Sequence, residues 1–190
     1  MKKLLSDIAK CTVCVNFFEH DPRPIVQADP RATIAIIGQA PGRKVHASGI
    51  PWDDPSGKRL REWMGIDDAT FYNPKKIALI PMGFCYPGHG KSGDLPPRPE
   101  CAPLWHKLLL SKMNKLNLIL LFGQYAQQYY LKEKYKINLT ETVRTYQEYL
   151  PLFLPLPHPS PRNQIWVRKH PWFETELIPL LQKLVSENLT

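Results

Sequence analysis

Short, unbroken apolar runs recur along this chain, and between them apolar residues return every three or four positions. Residues 33–38, Thr-Ile-Ala-Ile-Ile-Gly, are the first such run, with the character of a strand buried on both faces of a parallel sheet. Residues 77–82, 116–122 and 152–156 read the same way and supply three more strands. Helices are predicted over residues 2–10, 56–64, 102–113, 124–132 and 172–187. In the second of these Ser56 is the expected capping residue, and Leu60, Trp63 and Met64 share the inner face. Strands alternating with helices predict an α/β fold: a three-layer α/β/α sandwich around a central, mainly parallel four-stranded sheet. Neither an internal repeat nor a linker interrupts the pattern, so residues 1–190 are expected to form a single domain.

At 190 residues and 43% hydrophobic content, the chain can bury a substantial core. The start, MKKLLSDIAKC, is basic but lacks an apolar stretch of signal-peptide length, and the strongest apolar run, 116–122, is far too short to span a bilayer. The expectation is a cytoplasmic, monomeric protein with no membrane partner. A formal charge of +8 points to a polyanionic partner. Between Tyr149 and Phe173 there is no acidic residue, while His158, Arg162, Arg168, Lys169 and His170 all occur there. A solvated basic edge would look the same. The 20 prolines concentrate in 22–30, 87–103 and 151–161, which read as ordered loops.

The four cysteines are Cys11, Cys14, Cys85 and Cys101, spaced C-x2-C, then a gap of 70 residues, then C-x15-C. A near pair can staple little as disulfide partners, but it makes half of a metal site that folding completes with the two distant thiols. A reducing compartment favours metal further. Zinc and an iron–sulfur cluster suit four thiolates equally, and four unrelated buried thiols are the plainer alternative.

Two motifs stand at predicted strand ends, where open α/β sheets bind ligands. Gly38-Gln39-Ala40-Pro41-Gly42 is a tight turn whose glycines allow backbone to approach a ligand, although an ordinary βα turn looks alike. It lacks the GK[ST] ending of a phosphate loop. His158-Pro159-Ser160-Pro161-Arg162-Asn163 presents an imidazole, a hydroxyl, a guanidinium and an amide on a proline-stiffened loop.

Taken together, GQAPG, GIPWDDPSG with its following helix, the four cysteines and HPSPRN resemble the uracil-DNA glycosylase superfamily. The resemblance is greatest to its iron–sulfur branch, family 4, whose pattern is roughly CxxC, GEAPG, GxPFxGxSG, NxxxCxP, C and HPS; HPSPRN also resembles the single-strand-selective branch. The resemblance implies a monofunctional DNA glycosylase that flips a uracil or other deaminated or modified base out of DNA and hydrolyses its N-glycosidic bond, initiating base excision. It implies a [4Fe–4S] cluster on Cys11, Cys14, Cys85 and Cys101, with structural zinc as the alternative. Gly38, Gln39 and Ala40 would form the base pocket and Trp52 would stack on the base, unless it is simply a core tryptophan packed on the next helix. His158 would donate to the departing base. Ser160 and Asn163 would bind phosphates, and Arg162 would wedge into the duplex. Capping a helix from residue 163 onward is the duller task for Asn163.

The chain departs from that pattern at informative places. Gln39 replaces the usual glutamate, and Pro81 stands where the family reads uracil with asparagine, four residues before Cys85. The acidic residues often found after the first turn are replaced by Arg43, Lys44, Val45 and His46. The nearest carboxylates are Asp53 and Asp54, either of which could orient water or steady the sugar cation, or simply begin a helix. The preferred base could therefore differ from uracil. Two other readings remain: a non-catalytic or covalently trapping DNA-binding relative in which His46 or His158 is repurposed, and a zinc-stabilised α/β enzyme handling nucleotides.

Overall fold

The four apolar runs pair into one sheet, and each distributes its residues alternately to two separate cores. The computed structural model describes residues 1–91 and 93–189. In chain order its elements are α1 (Lys2–Ala9), β1 (Ile34–Ile37), α2 (Arg43–Ser48), α3 (Pro55–Met64), α4 (Asp68–Phe71), β2 (Ile77–Leu79), β3 (His89–Gly90), β4 (Gly93–Asp94), α5 (Cys101–Leu110), β5 (Leu118–Phe122), α6 (Gln124–Leu131), α7 (Leu139–Arg144), β6 (Phe153–Leu156), α8 (Gln164–Lys169) and α9 (Ile178–Leu189). The sheet order is β2-β1-β5-β6, every pair is parallel, and Ile36 lies opposite both Leu79 and Leu120. This is the expected three-layer α/β/α arrangement.

Ile34, Ile36, Leu120, Phe122 and Leu156 face one core, closed by α3, α9 and the turn before α9. Ala35, Ile37, Ala78, Ile119 and Leu121 face the other, closed by α1, α5 and α6. Covering both faces explains why the strands read as continuous apolar runs rather than as alternating ones. Pro155 sits within β6, an edge strand, where its missing N–H breaks no ladder. Residues 25–27 cover the outer edge of β2 through Gln27 N–H to Leu79 O (3.0 Å) and Leu79 N–H to Gln27 O (2.8 Å), and Ile25 N–H reaches Phe84 O at 2.7 Å. No helix among the described residues is long and apolar enough to cross a membrane.

Local chemistry corrects several boundaries. Asp54, not Ser56, caps α3: its Oδ1 accepts Gly57 N–H at 2.8 Å, Pro55 takes the first helical position, and Ser56 is buried. β2 stops at Leu79 rather than residue 82; beyond Pro81, Met82 N–H and Gly83 N–H bond Gly38 O (2.8 Å) and Gln39 O (3.0 Å), joining two strand-end turns. The last predicted helix divides into a π-helical turn, Phe173–Leu177, followed by α9. Helices α2, α4, α7 and α8 and the β3–β4 hairpin were not predicted. All are six residues or fewer, too short to display a period.

One buried polar residue bears on acid stability. His106 of α5, 1% exposed, contacts Pro81 O through Nε2 (3.0 Å) and the Tyr130 hydroxyl through Nδ1 (2.7 Å). Burial pulls its pKa down from 6.5 to about 4, only partly offset by the bond to Pro81. The unfolded chain binds a proton that the native protein refuses across this window, so stability falls as pH drops from 6.5 towards 4. The expected loss is about 3 kcal/mol from this group. Urea midpoints measured against pH should show it, and His106→Gln should flatten the slope.

Candidate active site

Three strand-end segments, the start of α3 and the hairpin converge on one cavity of about 380 Å³ at the carboxyl edge of the sheet. Its wall takes Gly38 to Gly42 from the turn after β1, Pro81 from the segment after β2, and His158, Ser160, Arg162 and Asn163 from the loop after β6. Trp52 and Asp54 enter from the approach to α3, and Gly93, Asp94 and Leu95 from the hairpin. Gly38, Gln39, Ala40, Trp52, Asp54, His158, Ser160, Arg162 and Asn163 are thus assembled from positions up to 125 residues apart (Gly38 to Asn163, 163 − 38). Asp53 is not brought in. It is exposed, and its charge acts on Tyr72 instead.

The loop after β6 is shaped by its own polar groups. Ser160 N–H donates to His158 Nδ1 at 3.2 Å, Asn163 Nδ2 donates to His158 O at 2.8 Å, and Ser160 Oγ accepts Arg162 N–H at 3.3 Å. With Nδ1 accepting, the ring proton of a neutral imidazole must reside on Nε2. Burial lowers the His158 pKa below its ordinary value, and the Asp54 charge pulls more weakly in the opposite direction. The loop therefore presents a neutral Nε2–H donor. Asn163 does not cap α8 with its side chain; its amide fixes the histidine's backbone instead. The Arg162 guanidinium rests against Gly93 of the hairpin, bridging the two sides of the cavity.

Trp52 occupies an uncommon backbone conformation, φ 58°, in the left-handed region that a bulky side chain rarely enters. Its carbonyl lies against Gly57, where no Cβ fits, and a Cβ on Gly38 would fall 2.7 Å from its ring. The ring stacks near His158 (centroids 5.6 Å, interplanar 25°) and meets Phe122 edge-on at 6.1 Å. It is at once a partly buried core residue and a wall of the cavity.

Several contributors were invisible in the sequence. His106 and Tyr130 underpin Pro81, and a lone histidine on an apolar helix face gives no signal of that. Asp94 reaches the cavity from a glycine-rich loop with no recognisable motif. His46, considered for a trapping role, does not line the cavity. It packs on His20 (4.4 Å) and Tyr86 (5.8 Å), with Nδ1 buried and unpartnered, and burial lowers its pKa.

The four thiols share one neighbourhood below the hairpin. Burial raises Cys14, pushes Cys85 up to about 11 and Cys101 up to about 12, and the charges of other cysteines add to each of these shifts. Phe84 N–H points at Cys101 Sγ at 3.3 Å. Among the described residues, no three His, Cys, Asp or Glu side chains converge as ligands of a single ion.

The chain thus combines a parallel α/β sheet, a histidine-bearing cleft at the strand ends and a net charge of +8. The family model of the uracil DNA glycosylase superfamily matches residues 25–182, and the chain belongs to that superfamily. Its members are typically DNA glycosylases, hydrolases that act on DNA. The match includes every cavity residue named above together with Cys85 and Cys101, whereas Cys11 and Cys14 precede it.

The fit beneath Trp52 is testable through stability. Gly57→Ala is expected to cost about 1–3 kcal/mol, because its methyl group collides with the Trp52 carbonyl. Asp54→Asn, which keeps a capping side chain, should stay within about 0.5 kcal/mol of the parent. Urea unfolding reads both, and a Gly57→Ala chain as stable as the parent would show that Trp52 is not held from below.

Proposed function

We propose that this protein is a monofunctional DNA glycosylase that extrudes a deaminated or otherwise modified base into the cavity and hydrolyses its N-glycosidic bond. The observation that carries this reading is the orientation of His158, whose Nδ1 accepts Ser160 N–H and so leaves Nε2–H as the free donor. As the glycosidic bond breaks, negative charge grows on the base and positive charge on the sugar. A preorganised N–H meets the first without placing a cation in the empty pocket. The Asp54 carboxylate, close enough to influence His158, would stabilise the second with its field. Trp52 offers ring surface to the extruded base, and Gly38 to Ala40 bring backbone to its edge.

Pro81 lines the cavity without a donor, and its carbonyl already accepts from His106. Base discrimination is then not made by a side chain at that position. Gln39, an amide in the wall, is the nearest polar group of the first turn suited to it. Arg162, in the cavity wall against the hairpin, would occupy the gap left by the extruded nucleotide.

The chemistry of the donor set also fits a thiolate-held [4Fe–4S] cluster. Four thiols lie within mutual electrostatic reach, and a backbone N–H is aimed at one sulfur. Zinc is the alternative occupant, and the donor set of four thiols suits either. Cys11, Cys14, Cys85 and Cys101 would hold it, and when bound it would tie the N-terminal segment to the base of the hairpin. Burial opposes the thiolate form of Cys85 and Cys101, so binding must itself drive deprotonation. Anaerobically purified protein should contain iron and sulfide and absorb broadly in the visible. Replacing any one of the four cysteines by serine should diminish both signals, whereas a colourless zinc protein would overturn the cluster.

Excision profiling tests the activity directly. Duplex and single-stranded oligonucleotides carrying uracil, hypoxanthine, xanthine or bulky cytosine derivatives should yield abasic product with multiple turnovers on at least one base. A stall at one equivalent would indicate trapping instead. On the best substrate, His158→Ala should lower the single-turnover rate by about 10²–10³ while leaving the fold intact. Unaltered turnover would remove His158 from the reaction.

A further inference from the structure

The cavity holds a carboxylate that arrives from outside every motif. β3 and β4 project from the segment between Cys85 and Cys101, closed by Leu95 N–H to Gly88 O at 2.9 Å, and carry Asp94 into the wall beside the first turn. A Cβ at Gly42 would stand 3.2 Å from Asp94 Oδ2. Oδ1 lies 3.3 Å from His89 Nδ1, and the Asp94 charge adds to the burial that raises the Tyr86 pKa. Asp94 thus leans over the turn that is followed by Arg43, Lys44, Val45 and His46 and lacks an acid of its own.

The three carboxylates near the cavity differ in what else they do. Asp53 is exposed and outside the wall. Asp54 lines the wall, but its Oδ1 is committed to Gly57 N–H at 2.8 Å as the cap of α3. Asp94 caps no helix among the described residues, and its side-chain contact is with His89 of its own hairpin. Arg162 rests on the adjacent Gly93, and Arg43 is within electrostatic range of Tyr86.

We propose that Asp94 is a catalytic residue, the base that holds and deprotonates the water that replaces the excised base. The assignment rests on the glycosylase reading above. In the step, the water oxygen forms a bond to the anomeric carbon and the N-glycosidic bond breaks, its electron pair leaving on the base under the His158 donor. One water proton passes to Asp94. It is then released to solvent, from which the departed base anion is protonated. The hairpin supplies from a distant loop the acid that the first turn lacks.

The test compares wild type, Asp94→Asn and Asp54→Asn in single-turnover excision on the best substrate, together with DNA affinity and rescue of Asp94→Ala by formate. Asp94→Asn should slow excision by about 10²–10⁴ at unchanged affinity. Formate should restore part of the rate to Asp94→Ala and none to His158→Ala, a response that a purely structural role would not give. An Asp94→Asn rate within about threefold of an active wild type would overturn the assignment, as would a loss confined to affinity, or a loss on Asp54→Asn alone. If wild type itself releases no base, the assignment falls together with the glycosylase reading.

Discussion

The placement of Trp52 is the constraint on which the site depends. Its backbone is forced into the left-handed region, its carbonyl bears on Gly57 at the start of α3, and its ring lies between Gly38 and His158. One residue thereby sets the spacing between the turn after β1, the head of α3 and the loop after β6. Left-handed backbone at a bulky residue costs on the order of 1–3 kcal/mol and persists only where its surroundings over-determine it. Here two glycines, a cap and a stacked imidazole do so.

Electrostatics inside this frame follow from burial more than from paired charges. His106 and His158 are both held towards the neutral form by desolvation; His106 has a partner at each ring nitrogen, and His158 accepts Ser160 N–H at Nδ1. His158 thereby gives the cavity wall a neutral imidazole, while His106 supports Pro81 from behind. The carboxylates in the wall come from other elements: Asp54 from a helix start and Asp94 from the hairpin.

The thiols and the hairpin belong to one piece of architecture. Cys85 and Cys101 stand at the two ends of the segment that delivers Asp94 and Leu95 to the cavity. Residues 25–27 along the edge of β2, and α1 packed on α5, draw Cys11 and Cys14 to the same place. A cluster bound there would stiffen the base of the hairpin without touching the reacting atoms.

Much of the fold was legible in the chain itself, because the signals are local. Apolar runs such as 33–38 and 116–122 specify strands buried on both faces, and turns at their ends specify where a ligand can enter. GQAPG and HPSPRN could accordingly be placed at strand ends, and His158 singled out, before any contact was known. The choice among carboxylates was not legible. Asp53 and Asp54 are neighbours in sequence, yet one backbone step sends the first to solvent and the second to the cap and the cavity. Asp94 has no periodic or motif context at all; a two-residue strand pair in a proline- and glycine-rich loop decides its position. The sequence by itself determined the layers, the strand ends and the kind of chemistry on offer. Only the tertiary structure decided which side chains meet, because contacts such as Gly93 with Arg162, Gly42 with Asp94 and Trp52 with His158 join segments distant in the chain that no local period encodes.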